Sequence, residues 1–198
     1  MSANQELSGF ASAVLGRKRS CERLYALMDS ARDSELVAAA SRAGEIPYSL
    51  FGPAAPDFML RVAPRLATIS IPSCGGGDEF LDAWEARLGR SVGLLLATEA
   101  DPPALLRHLS GLFQVTDEDR LRYYFRFYDP RVLRSFLPTC SALDAAEFFG
   151  PIRRIFVEDE KPGRLLIVNA DDGLRTEILP FASSGSSEPI ARSAGGRL

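Results

Sequence analysis

The period of apolar and polar positions changes repeatedly along the chain, and the changes mark out its elements. Cys21 to Met28 is mostly apolar and predicts a strand, after a start to about Ser20 with no clear element. Ser34 is placed to cap a short helix with Leu36, Val37 and Ala40 on its apolar face, and Gly44 ends it. Ile46 to Phe51 predicts a strand broken by Pro47, and Gly52-Pro53-Ala54-Ala55-Pro56 a rigid loop. Phe58 to Ile71 is apolar but interrupted by Pro64, which predicts an edge strand or two short strands.

The second half has chemically marked boundaries. Asp78 precedes a helix lined by Phe80, Leu81, Trp84 and Leu88, and Gly89 closes it. Val92 to Leu96 is a continuous apolar run, as in a strand covered on both faces. Asp101 and Pro102 start another helix, with Leu105, Leu106, Leu109, Leu112 and Phe113 facing the core. Ser141 caps a helix that Gly150-Pro151 terminates. Ile155 to Val157, Leu165 to Val168 and Leu174 to Phe181 then read as a meander, with turns at Lys161-Pro162-Gly163 and Asp171-Asp172-Gly173. The expected fold is α/β (α+β): one compact domain with a mixed sheet, short flanking helices and a C-terminal antiparallel meander. Its expected bounds are a flexible segment at 1–20, the domain at 21–181 and a disordered tail at 182–198, rich in Ser, Gly, Pro and Arg.

Leu121 to Tyr128 alternates, placing Leu121, Tyr123, Phe125 and Phe127 on one face of an expected strand and Arg122, Tyr124, Arg126 and Tyr128 on the other. Asp129 is placed to cap the helix that follows, and Pro130 suits its first position, where a missing N–H costs nothing. This helix should run to about Leu137. Arg126, Asp129 and Arg131 predict a strand-to-helix corner fixed by ion pairs, and Tyr128 with the guanidinium groups is a mix common at binding hot spots.

Phe125-Arg126-Phe127-Tyr128-Asp129-Pro130-Arg131-Val132-Leu133 resembles the signature of the type VI secretion effector-chaperone (adaptor) family. Leu24 to Ala31, Tyr48 to Phe51, Ala63 to Leu66, Gly93 to Leu96, His108-Leu109 and Phe148 to Ile152 match in order, so the likeness spans Leu24 to Val157. The resemblance implies a cytoplasmic adaptor that binds a toxic effector and assists its loading onto the VgrG spike. It implies no catalysis and no cofactor. Arg122, Tyr124, Arg126, Tyr128, Asp129, Pro130 and Arg131 are its candidate partner-binding or structural residues.

A net charge of −3 gives no global attraction for nucleic acid or anionic lipid, and the one dense basic run, Arg17-Lys18-Arg19, reads as a solvated cluster. Neither a secretory signal nor an apolar run of membrane-spanning length is present in this sequence. Cys21, Cys74 and Cys140 are odd in number and scattered, so reduced thiols are expected, and a single histidine excludes a His-rich metal site.

Competing chemistry is weakly supported. Gly75-Gly76-Gly77 precedes a helix, but Asp78 and Glu79 would repel a phosphate there. Asp171-Asp172 and Glu158-Asp159-Glu160 suit solvated turns. An enzyme built on Arg126, Asp129, Arg131 and His108 requires those groups to converge; the other alternative is an immunity protein that neutralises a toxin.

Overall fold

The computed structural model describes residues 8–70, 79–116, 121–170 and 174–181. Within them the chain runs α1 (Gly9–Gly16), β1 (Arg23–Met28), α2 (Ser34–Arg42), β2 (Tyr48–Ser49), α3 (Asp57–Val62), β3 (Arg65–Ile69), α4 (Glu79–Glu85) and β4 (Gly93–Thr98). It continues through α5 (Pro102–Gly111), β5 (Gln114–Thr116), β6 (Arg122–Tyr124), α6 (Pro130–Phe136), α7 (Ala142–Phe149), β7 (Arg154–Glu158), β8 (Arg164–Asn169) and β9 (Arg175–Pro180). Seven strands form one sheet in the order β2-β3-β1-β4-β7-β8-β9, and β5 and β6 form a separate hairpin. Every pairing is antiparallel, so α+β describes the expected α/β (α+β) class best, and β7 to β9 are the expected meander.

The central strands are covered on both faces, which is why they read as unbroken apolar runs. Leu24, Ala26 and Met28 of β1, with Leu95 and Ala97 of β4 and Phe156 of β7, pack beneath α1, α2 and α4. Tyr25, Leu27, Leu94, Leu96, Ile155 and Val157 point the other way, onto an aromatic layer from α5 to α7. In that second layer Phe125, Phe127, Phe136 and Phe148 meet mostly edge to face, with centroids 4.7–6.3 Å apart. Gly93 lets the start of β4 approach β1: a Cβ there would lie 2.0 Å from the Leu27 carbonyl oxygen.

Several expectations are corrected. Residues 9–16, within the segment expected to be flexible, form α1, which Ser8 caps through the Ala11 amide and which buries Phe10, Ala11 and Val14. Asp33 rather than Ser34 caps α2, accepting from the Leu36 amide at 2.9 Å. The segment expected as an edge strand or two short strands opens instead with helix α3, followed by β3 inside the sheet; β2 is the edge strand beside it, and only two residues long. The Leu121–Tyr128 strand ends at Tyr124. Beyond it the backbone turns, so Phe127 and Tyr128 are both buried while Tyr123 and Tyr124 are both half exposed, and strict alternation is lost. Asp78, the glycine loop with Cys74, the loop 117–120, the Asp171–Gly173 turn and the tail 182–198 lie outside the described residues.

An arginine and aspartate corner as the candidate functional site

The site forms where β1, β4 and β7 reach the same end of the sheet. β1 finishes at Met28 opposite Gly93, the first residue of β4, and the next amide, Asp29 N, donates to the Val92 carbonyl at 2.8 Å. The chain then turns sharply: Asp29 Oδ1 accepts from the Ala31 and Arg32 amides at 3.1 and 3.3 Å. A second turn brings in the signature, with Asp129 N donating to the Arg126 carbonyl at 3.0 Å. Pro130 then occupies the first turn of α6, buried, as its fixed φ favours.

Asp29 and Asp129 are each 1 % exposed, and three arginines cover them. Arg126 Nη2 donates to Asp29 Oδ2 at 2.7 Å. Arg131 takes Asp129 bidentately, Nε to Oδ1 at 3.0 Å and Nη2 to Oδ2 at 2.7 Å, while its backbone amide supplies the capping bond at 3.0 Å. Arg32 lies between the two acids, 3.9 Å from Asp29 and 3.7 Å from Asp129, within ion-pair range but beyond hydrogen-bond reach. The arginine side chains remain open, with 33 % (Arg32), 42 % (Arg126) and 55 % (Arg131) exposure. The acids are inside and the cations outside.

The electrostatics follow from that layering. Burial pushes the Asp129 carboxyl up, but hydrogen bonds and charge from Arg131, with Arg32 behind them, outweigh it and hold it below its ordinary value. Burial works against the Arg126 charge, and Tyr128 and Asp29 reverse the balance and raise it. The Arg126 guanidinium lies over the Tyr128 ring, 5.6 Å from its centroid, and the Tyr128 ring meets Phe113 edge to face at 6.0 Å. Burial first, and then the neighbouring acid or phenol, lift both phenols above their ordinary value, so they stay protonated.

The ring of Tyr124 leads away from the charges. It stacks on Phe113 with 5.3 Å between centroids and meets Phe51 edge to face at 5.9 Å. Those rings, with Leu50, Met59 and Gly111, line a groove of about 500 Å³.

The structure therefore joins five of the seven signature residues at or beside one corner: Tyr124, Arg126, Tyr128, Asp129 and Arg131. Pro130 supports it from within the helix. Arg122 falls in β6, and its side chain lies outside what the structure describes. Of the two partners expected for Asp129, Arg126 or Arg131, Arg131 takes it, while Arg126 bonds to Asp29 and stays 3.9 Å from Asp129. Sequence reasoning missed Asp29 and Arg32; a carboxylate immediately after a buried apolar run, with an arginine three positions on, was the available signal. His108 is used elsewhere. Its Nε2 lies 2.9 Å from the Phe148 carbonyl, and its ring packs so closely on Gly150 (φ +48°) that a Cβ there would approach it to 2.4 Å. Asp129 is engaged by Arg131, so the convergence an Arg126/Asp129/Arg131/His108 enzyme needs is not formed by these side chains.

Among the described residues no group of three or more His, Cys, Asp or Glu is placed to hold a metal ion, and no helix is long and apolar enough to cross a membrane. The sequence profile of a domain of unknown function, DUF4123, matches residues 24–147, a span that holds the whole corner from Asp29 to Arg131. No curated protein and no solved structure gives a significant match. The chain belongs to the DUF4123 family.

Proposed function

We propose that this DUF4123 protein is a cytoplasmic adaptor that binds a toxic effector and assists its loading onto the VgrG spike of a type VI secretion system. The observation that carries the proposal is the use the fold makes of the signature segment Phe125 to Leu133. Its aspartate is spent internally as helix cap and ion-pair partner, whereas its arginines are left half open, and the rings of Tyr128 and Phe113 connect Arg126 to an aromatic groove. Guanidinium and tyrosine groups at the edge of an apolar groove suit protein recognition, which uses an apolar centre and a polar rim. Recognition of this kind requires no cofactor, and the effector and the spike protein are the partners proposed.

The test is affinity capture of the full chain from native cells, followed by mass spectrometry. Recovery of a toxin together with a spike protein is expected; recovery of neither contradicts the proposal. Deleting the gene should leave the producing cell viable and abolish toxin delivery. Self-intoxication on deletion would instead mark an immunity protein.

A further inference from the structure

We propose that Arg32, Arg126 and Arg131 form a receptor for a carboxylate on an acidic, apolar segment of a protein partner. Resting on the protein-binding reading above, the proposal names the chemistry recognised. Asp29 and Asp129 are sealed beneath the surface with their oxygens occupied: Asp29 by the Ala31 and Arg32 amides and Arg126, Asp129 by the Arg131 amide and guanidinium. The arginines are not used up in the same way. The Arg32 guanidinium makes no hydrogen bond to either acid, and Arg126 bonds to Asp29 through one terminal nitrogen. Three partly exposed cations stand above two buried anions; Asp129 occupies the Arg131 fork, and the Arg32 guanidinium keeps a planar donor fork that matches a carboxylate.

The surroundings have been assigned their own partners. Glu158 is held by the Gly89 and Ser91 amides and the Ser91 hydroxyl, and Arg134 donates to the Glu158 carbonyl. Asp33 bonds to Arg87 and lies 3.4 Å from Arg90. The Glu158 charge also acts on Arg131, which leaves the Arg32 guanidinium as the cation of the trio that no acid holds by a hydrogen bond. Continuity selects the kind of ligand: the Arg126 guanidinium lies over the Tyr128 ring, Tyr128 meets Phe113 edge to face, and Phe113 stacked with Tyr124 forms a wall of the groove. A segment with an Asp or Glu next to aromatic or aliphatic residues fits both parts at once.

Arg32 gives the clean test, because Arg32→Gln removes the guanidinium that no acid holds by a hydrogen bond and leaves every hydrogen bond to Asp29 and Asp129 in place. A displayed library of random dodecapeptides is selected on the full chain, and the enriched peptides are titrated against wild type and Arg32→Gln. Expected are peptides carrying Asp or Glu beside an aromatic or aliphatic residue. Each should bind about ten-fold more weakly to Arg32→Gln, and to wild type after its acid is changed to the amide, the size expected for a charged hydrogen bond. Binding should weaken as salt rises. Peptides without acids, peptides indifferent to Arg32→Gln, or no enrichment at all would overturn the proposal. Sedimentation of the chain alone supplies the remaining arm: a dimer lost in Arg32→Gln would make a second copy the ligand and overturn it too. Acidic peptides selected without any toxin or spike protein captured from cells would keep the receptor and remove the adaptor role. Cellular partners retained by Arg32→Gln would do the reverse.

Discussion

The same three strands carry a buried acid–arginine site at each end, and the two ends are built to opposite effect. At one end Glu22, just before β1, is ion-paired to Arg154 at the start of β7, and their side chains are 0 % and 11 % exposed. Glu22 Oε2 also accepts from the Arg19 amide at 2.8 Å, while Glu22 Oε1 and Arg154 Nε have no hydrogen-bond partner among the described residues. At the other end the acids are equally deep, but the guanidinium groups are one-third to one-half exposed. Charge chemistry is common to both. Solvent access to the cation separates a pair that can only hold the fold together from one that can also meet a ligand.

The sealed end should show the largest response. Removing one member leaves an uncompensated buried charge, so Arg154→Met should cost about 3 kcal/mol in equilibrium urea unfolding. Replacing both Glu22 and Arg154 by apolar residues of similar volume should recover most of that loss. At the open end Asp129→Ala removes the α6 cap and should cost about 1 to 2 kcal/mol in the same assay.

The pH response gives a finer comparison. The folded Asp129 carboxyl is held below its ordinary value, so as pH falls the unfolded chain takes up the proton first. Its stabilising contribution is complete above the ordinary value of about 3.9 and is lost as pH falls through the folded value. Asp129→Asn should therefore be less stable than wild type at neutral pH, with the gap closing in acid; a gap that stays constant with pH would remove Asp129 from this account. The smallest effect belongs to Arg32→Gln, which breaks only ion-pair contacts beyond hydrogen-bond range and should change stability by no more than about 0.5 kcal/mol.

Legibility in the sequence followed the range of the interactions. Helices α5, α6 and α7 could be placed because Asp101, Asp129 and Ser141 act on amides two or three residues away, in a local signal that tertiary context rarely overrides. The β4 run was legible because burial on both faces leaves a continuous apolar stretch, and the meander because turn residues bound its strands. Asp57 to Val62 carried no comparable mark: it is a six-residue helix with no buried residue, too short for its period to be distinguished from a strand. Within the site, the Asp129–Arg131 contact spans two positions and was readable, but Asp29–Arg126 joins residues 97 apart and Glu22–Arg154 residues 132 apart. Such pairs exist only once the strand order has brought chain segments together.

The difference between the two ends is tested most directly by Arg32→Gln in the full chain, comparing its urea unfolding midpoint and its capture of partners from native cells with wild type. A midpoint within experimental scatter of wild type, together with loss of the captured partners, is the result expected of an open corner that recognises a ligand. Partners retained at wild-type yield by a normally folded Arg32→Gln protein would contradict it.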